Sequence, residues 1–428
     1  MAETTTRTAT GRTRPAVVIG LDCITGLQTS RILADRGVPV VGVVADRRHW
    51  GAHTRACVEV VESPLRGEQL VSTLRSLGPR LDAPAVLFPC TDPSVDTVSR
   101  HRDLLEDHFV LPLAPHPTVT MLMDKVSFAA HASSAGHPVP RTEVLTCRED
   151  AELVAGSIAY PCVLKPPGKS ASWLARTSAK GFAVRDAEQL MELYDRVHGW
   201  AQALLLQEWV EGAESQLLSC NAYFGEGGRP LATFVARKIR QWPPDIGTSA
   251  SGEECRDDEA LDHTVRLFGG LGFRGLAYLE LKRDARTGRL MLIEANVGRP
   301  TGRSAIAEAG GVELVHTAYC DALGLPLPQN REQRYVGAKW LDLRRDAQAA
   351  TVARRRGTLT MTEWLRWVRG PKAHAIWSPR DPKPFVVDLV QASATGIRAV
   401  ARARGTRGAA ADGAVKRAEP ARLGGSQV

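Results

Sequence analysis

The 428-residue sequence has no run of 18 or more apolar residues, so nothing in it reads as a transmembrane helix. Its first residues, Met1 to Pro15, are rich in Thr and Arg and lack the apolar stretch of a secretory signal. Both absences point to the cytoplasm. None of the eight cysteines sits in a CxxC pair, and their spacing suggests neither a zinc site nor a disulfide framework. Most of them should be small buried hydrophobes. Lysine is scarce, ten against forty-five arginines, so the places that keep a lysine are informative.

A folded basic face is also missing. The net charge is +8, but residues 398–428 supply +5 of it and residues 1–14 another +2, which leaves the body near +1. The basicity lives in two tails of Ala, Arg, Gly and Thr that read as disordered, 1–14 and 396–428. A nucleic-acid module would carry its charge on a structured surface, so no nucleic-acid partner is expected. Two familiar phosphate motifs fail as well. Gly20 and Gly26 enclose five residues, too many for GxGxxG, and Gly168-Lys-Ser170 lacks the P-loop glycine because position 163 is Val163.

What is present is an ordinary globular composition, 43% hydrophobic and 24% charged, long enough for two to four units. Pro15–Gly20, a helical Leu27–Arg36 and Val38–Val44 predict a right-handed parallel βαβ unit. Ala85–Phe88 is a later strand and Leu111–Leu113 a possible last one, so residues 15–115 read as a small Rossmann-like domain. Its ligand-lining turns would be Gly20–Thr25 and Cys90–Ser94, beyond the strand ends. From residue 116 the pattern changes. Met121–Ala135 is helical, Tyr160–Pro166 and Leu204–Val210 are strands, and 168–181 is a flexible loop. Gln216–Phe224 pairs with Pro230–Arg237, and two strands at 276–283 and 289–296 precede a helix from about 303. Residues 331–395 form a third unit, with helices over Trp340–Ala353, Thr360–Val368 and from Phe385.

The hairpin Tyr278-Leu-Glu280 … Ile293-Glu294-Ala-Asn296 is the most telling feature. Closure near residue 286 or 287 brings Glu280 opposite Glu294. Alternation puts Glu294 and Asn296 on one face and Ile293 and Ala295 on the other. Opposed carboxylates repel unless a cation separates them, and two acids with an amide oxygen suit Mg²⁺. The bland alternative is a solvated face on which Lys282 offsets the charge. Lys165 ends a buried strand, which is costly unless it meets an anion such as phosphate. Gln207-Glu208-Trp-Val210-Glu211-Gly212 fits either an adenine-binding hinge or an edge strand. Arg299 and Arg303, in Gly298-Arg-Pro-Thr-Gly-Arg303, would clamp a phosphate or carboxylate. Arg237-Lys238-Ile-Arg240 adds a second cationic cluster.

In order along the chain, Asp124-Lys125, Val-Leu-Lys165-Pro, a glycine loop, Gln-Glu208-Trp-Val210-Glu211-Gly212, Glu280 and Glu294-Ala-Asn296-Val-Gly-Arg299 resemble the ATP-grasp superfamily. Within it the chain is most similar to carboxylate–amine ligases of the D-aspartate ligase-like group. These share the Thr-Asp92 turn, the Arg-Lys238-Ile-Arg-Gln-Trp-Pro-Pro segment, Trp340-Leu-Asp-Leu…Asp346 and Asp381-Pro-Lys-Pro384. The resemblance implies an α/β architecture in four parts. These are a Rossmann-like pre-ATP-grasp domain (15–115), a two-lobed ATP-grasp domain (116–330), a small helical C-terminal extension (331–395) and the basic tail (396–428).

It also implies a mechanism. A carboxylate attacks the γ-phosphate of MgATP, and an amine then displaces phosphate from the acylphosphate. By motif, Lys125 and Lys165 would hold phosphates, and Glu208, Val210 and Glu211 would border adenine and ribose. Glu280, Glu294 and Asn296 would bind Mg²⁺ (Mn²⁺ being possible), while Arg299 steadies the transferring group and Lys238 assists. The loop around Ser170, Ala171 and Trp173 departs from the compact glycine run of the family. Partners would be a small carboxylate and an amine, with no stable membrane insertion and a possible homodimer. Acyl or phosphoryl transfer to a hydroxyl or thiol, and non-catalytic nucleotide binding, are the alternatives on the same fold.

Overall fold

The computed structural model describes residues 13–393 except 169, 170, 178, 245, 246, 303 and 371. Most of the 1–14 tail, all of the 396–428 tail, Ser170 and Arg303 therefore lie outside the described residues.

The first sheet is parallel and built from β1 (Ala16–Ile19), β2 (Val40–Val44), β3 (Glu59–Glu62), β4 (Ala85–Pro89) and β5 (Phe109–Val110), in the order β3-β2-β1-β4-β5. β1, β2 and β4 are continuous apolar runs buried on both faces, as a parallel sheet covered by helices requires. β3 was not legible as a strand because Glu59 and Glu62 flank only two valines on an outer edge. The last strand sits two residues earlier than the sequence suggests. Leu113 instead makes a single bridge to Gly275 in the next domain.

The helix expected over Met121–Ala135 is two helices, His116–Met123 and Lys125–Ser134. Asp124 breaks them with extended backbone (ψ 125°), and its carboxylate caps the second helix at Ser127 N, 2.8 Å away. Beyond them, β6 (Thr142–Leu145), β7 (Cys162–Lys165), β8 (Phe182–Val184) and β9 (Leu204–Glu208) form an antiparallel sheet, β6-β9-β7-β8. Between β7 and β8 the sequence suggests a flexible loop. The structure instead contains a short helix, Ala171–Arg176, whose Trp173 is fully buried against Phe182 and Trp200 and donates its indole N–H to Ala179 O at 2.8 Å. An aromatic anchor outweighed the small-residue composition around it.

The third sheet runs β14-β13-β10-β11-β12-β15-β16. Its strands are β10 (Leu217–Phe224), β11 (Pro230–Trp242), β12 (Thr248–Glu254), β13 (Gly275–Arg283), β14 (Leu290–Val297), β15 (Lys339–Leu341) and β16 (Lys372–His374). Trp340, expected in a helix, lies in β15, and the helix follows at Leu343–Arg355 with Asp342 as its cap. The C-terminal segment thus adds two strands to the large sheet as well as helices. It is also tied to the first domain. Asp381 accepts from Arg31 Nε (3.0 Å), Thr54 Oγ1 (2.5 Å) and the Arg55 backbone N–H (3.1 Å). Gln28 donates to the carbonyls of His374 and Ala375, both at 3.2 Å.

Candidate active site

The small antiparallel sheet and the large sheet face each other across a cleft. At its back is a cavity of about 490 Å³. One wall is Val163 and Lys165 of β7, Ala183, and Gln207 to Val210 at the end of β9. The other is Leu217, Lys238, Gln241, Glu280, Lys282, Ile293 and Glu294. The apolar members suit a flat aromatic ring and the cations suit its anionic substituents. Lys165 Nζ donates to Gln207 Oε1 at 2.7 Å. Burial, with the nearby Lys125 charge, pulls the Lys165 ammonium down to about 8. Lys282 is also lowered, by burial and then by Lys238, and donates to Val210 O at 2.7 Å. It therefore fixes the 208–210 hinge rather than offsetting the acids.

The β13–β14 register pairs Glu280 with Glu294 and Tyr278 with Asn296, as the hairpin pattern predicts. Beyond Glu280 the ladder shifts, pairing Leu281 with Leu292 and leaving Ile293 without a partner. This bulge overturns the simple alternation: Ile293 and Glu294 both line the cavity, while Ala295 is buried. Ile293 is a site residue that strict period-2 reading assigned to the wrong face. Tyr278 OH donates to Glu280 Oε2 at 2.9 Å, and Lys125 Nζ lies 3.4 Å from Glu294 Oε2. Burial pushes the Glu294 carboxyl up, but Lys125, the Asn296 amide and Lys180 outweigh it and hold it below its usual range.

A second cavity of about 580 Å³ adjoins the first and shares Lys180, Lys238, Gly247, Glu280 and Glu294 with it. Its floor is completed by Tyr278, Asn296 and Arg299. Arg299 Nη2 donates to Asn296 Oδ1 at 2.5 Å, and its Nε side pairs with Asp92. Gly298, at φ +72°, turns the chain between these residues, and a Cβ there would lie 2.2 Å from Leu113 Cδ1. The first domain contributes the 22–25 turn, His49 and Trp50. That turn is tight because Gly26 lets the backbone close: a Cβ at 26 would sit 2.1 Å from Gly20 O. The 90–94 turn does not line the cavity, but Asp92 pairs with Arg299 and the Cys90 carbonyl accepts from Cys23 Sγ at 3.6 Å. The C-terminal segment supplies Trp340, Asp342, Arg344, Arg345, Ile376 and Asp388.

The structure thus gathers Lys125, Lys165, Glu208, Val210, Lys238, Glu280 and Glu294 around one cleft, with Asn296 and Arg299 in the adjoining cavity. Glu211 is not brought in. It lies at the rim, 3.6 Å from Arg286 Nε, and does not line the cavity. Sequence reasoning missed Lys180, Ile293 and the acids and arginines of the C-terminal segment. The scarcity of lysine was a signal for Lys180, since it closes the loop in which it stands.

No protein-family profile matches the chain. It is 25% identical over 232 residues to a D-aspartate ligase of Enterococcus faecium, covering 51% of this chain and 54% of that protein. It is 26% identical over 189 residues to a D-alanine–D-alanine ligase of Ectopseudomonas mendocina, covering 41% and 55%. The chain spans about half the length of these curated relatives. Among solved structures it is similar to the biotin carboxylase domain of Hydrogenobacter thermophilus 2-oxoglutarate carboxylase, a dimer solved with MgADP and bicarbonate. The TM-score is 0.60 at 14% identity, over 75% of this chain and 72% of that one. The cleft between the two sheets and these likenesses give the chain an ATP-grasp fold, and its sequence is similar to parts of a D-aspartate ligase and a D-alanine–D-alanine ligase.

Proposed function

We propose that the chain is an ATP-dependent carboxylate–amine ligase that forms an amide bond through an acylphosphate and releases ADP and phosphate. The observation that carries this reading is the border between the two cavities, where Glu280, Glu294, Lys180 and Lys238 face both. A reaction that joins a nucleotide in one cavity to small carboxylate and amine substrates in the other needs its charged groups at that border.

Lys125 and Lys165 then hold phosphates, while Glu208, Val210 and Ile293 border the base and ribose, with Glu211 at the rim. Glu280, Glu294 and Asn296 form an all-oxygen donor set that fits a hard cation, Mg²⁺ or Mn²⁺, and two acids opposed across a ladder are relieved by one. Such an ion, when bound, supplies charge neutralisation at the phosphates. Arg299 steadies the transferring phosphoryl group and Lys238 assists. The substrate carboxylate oxygen bonds to the γ-phosphorus as ADP leaves. The amine nitrogen then bonds to the acyl carbon as phosphate leaves, and the nitrogen gives up a proton. In domain terms, 15–115 and the 331–395 segment wall the second cavity around the 116–330 core. No helix among the described residues is long and apolar enough to cross a membrane, and we place the reaction in the cytoplasm.

The test is nucleotide analysis after incubation with MgATP and pooled amino acids and small carboxylates, beside Glu294→Ala. ADP that accumulates only with the pool, and only with Glu294 intact, supports ligation. AMP would mean adenylation and overturn the acylphosphate route.

A further inference from the structure

The proposed ligation leaves one proton without a destination. An aliphatic amine reaches a neutral site as an ammonium ion, since its ordinary pKa is about 8–10. An ammonium nitrogen has no electron pair with which to attack an acyl carbon. The second cavity must therefore offer a proton acceptor apart from the cation site. Most of its titratable side chains are unsuited. Glu280 and Glu294 belong to the cation donor set, and Tyr278 OH donates to Glu280. Cys23 Sγ donates to Gly20 O at 3.1 Å, and burial raises its thiol. His49 Nδ1 accepts from the Gly51 backbone N–H at 3.2 Å, so the neutral ring carries its proton on Nε2 and donates there. Asp388 is faced by two nitrogens of Arg344, at 3.4 and 3.5 Å. Asp22 accepts from Ala45 N at 2.7 Å in an exposed bond, where water competes for an ammonium.

Asp342 differs. It follows Trp340 by two residues at the end of β15, and both line the second cavity. Its side chain is 5% exposed. Oδ1 caps the Leu343–Arg355 helix by accepting from Arg345 N at 3.1 Å. Oδ2 has no nearer partner among the described residues than Arg345 Nε, at 3.4 Å. A buried carboxylate oxygen held so loosely favours a cationic donor from the cavity. Around it stand Arg344 and Arg345 on its own helix and Asp388 opposite, with His49 beyond. Burial raises the Asp342 carboxyl against the pull of the two arginines, with help from Asp388, so it is more basic than an ordinary aspartate. Trp340 points independently to a polar ligand. It is 4% exposed, and its indole Nε1 has no hydrogen-bond partner among the described residues. The ring edge bearing that nitrogen faces Gly302, which also lines the cavity: a Cβ there would lie 3.5 Å from Trp340 Cζ2 and 3.9 Å from Cε2. A buried N–H is costly to leave unpaired.

We propose that Asp342 binds the acceptor as an alkylammonium ion and takes the proton that frees its nitrogen for attack. This deepens the ligase reading and rests on it. The ammonium passes one proton to Asp342 Oδ2. The freed electron pair forms the bond to the acyl carbon, and the bond from that carbon to the phosphate oxygen breaks. A second nitrogen proton leaves with the phosphate as hydrogenphosphate, and Asp342 returns the first to solvent. Asp342 therefore belongs to the amine half of the reaction, and acylphosphate formation does not use it.

Hydroxylamine separates the two halves, because it is uncharged at neutral pH and attacks an acylphosphate without a base. The full chain and Asp342→Asn are incubated with MgATP and the pooled amino acids and small carboxylates, with and without hydroxylamine, over about pH 6.5–8.5. Asparagine keeps an oxygen for Arg345 N, and melting curves with MgATP show whether the variant is folded. The unaltered chain should release ADP at a nearly level rate across this range. Without hydroxylamine the variant should be about 100-fold slower at pH 7 and gain about tenfold per pH unit as free amine accumulates. Its hydroxamate yield should stay within about twofold of the unaltered chain's. Joint loss of ADP release and hydroxamate in the folded variant overturns the inference, because Asp342 would then serve the first half-reaction. So does ADP release with an unaltered pH profile. If the unaltered chain itself forms no hydroxamate, the ligase reading fails, and the assignment of Asp342 fails with it.

Discussion

Glu280 and Glu294 are direct partners in the β13–β14 ladder, and the ladder slips by one residue immediately beyond them. The pairing sets two carboxylates against each other at the border of two cavities, and the slip turns Ile293 onto the same side as Glu294. The pairing and the slip thus set two opposed acids and an apolar side chain side by side.

Opposed carboxylates repel across a ladder, and Lys125 offsets Glu294 only in part. Glu280→Gln keeps an acceptor for Tyr278 OH and removes one charge. The metal-free variant should therefore be more stable by roughly 0.2–1 kcal/mol, the scale of a cross-strand pair. Stabilisation by Mg²⁺ should be lost, and ADP formation should fall about 100-fold or more. Thermal melts with and without Mg²⁺, beside a nucleotide assay, read all three. An unchanged Mg²⁺ response in Glu280→Gln would remove Glu280 from the donor set.

The lowered Lys165 ammonium predicts a pH dependence with a definite sign. Its charge is present below about 8 and lost above it. A phosphate bound beside it requires the protonated form, so nucleotide affinity should fall as pH rises through about 8. The fall approaches tenfold per pH unit beyond that point. In Lys165→Met the slope should vanish and affinity at pH 7 should drop about tenfold or more. Calorimetric titration with ADP across pH 6.5–9.5 measures both; an identical slope in the variant would assign the dependence to another group.

Ile293→Ala leaves the donor set intact and removes apolar surface from the first cavity. The expected change is a rise in KM for ATP of about tenfold, from roughly 1–2 kcal/mol of lost burial, with kcat nearly unchanged. A fall in kcat with KM constant would instead show that the bulge positions Glu294.

How far the sequence could be read depended on periodicity and on local contradiction. The β13–β14 hairpin was legible because its turn and its two acids place its closure within one residue; the one-residue slip beyond Glu280, which moves Ile293, was not. The parallel sheet was legible where β1, β2 and β4 are apolar throughout, and not at β3, whose glutamates suit an outer edge. Trp173 hid a helix inside a segment of small residues, and Asp124 divided a continuous helical pattern by capping its own second half. The walls of the second cavity were the least legible. Asp342, Arg344 and Asp388 belong to a segment far along the chain, brought round by the pairing of β15 with β12 and by its tie to the first domain.

That tie centres on Asp381, a buried carboxylate accepting from Arg31, Thr54 and the Arg55 amide. Asp381→Ala leaves the Arg31 guanidinium without its acid in a site that is mostly buried. The loss should be about 3 kcal/mol, read as a lower urea midpoint. Because Asp342 and Asp388 depend on this segment, proteolysis after residue 330 should also accelerate. A variant as stable and as protease-resistant as the parent would make Asp381 a surface acid in effect.

Arg299 joins the first domain to the site. Its guanidinium reaches Asp92 on one side and the Asn296 amide oxygen on the other. A lysine carries the same charge but has no planar fork, so Arg299→Lys cannot hold both partners in this geometry. If Arg299 acts on the transferring group, kcat should fall about tenfold to a hundredfold while KM for ATP stays within about twofold. Asp92→Asn serves as the control: it retains an acceptor for the guanidinium, so its effect should be much smaller and confined to kcat. A rise in KM for ATP in Arg299→Lys, with kcat preserved, would place the arginine in nucleotide binding instead, and the phosphoryl role assigned to it would fall.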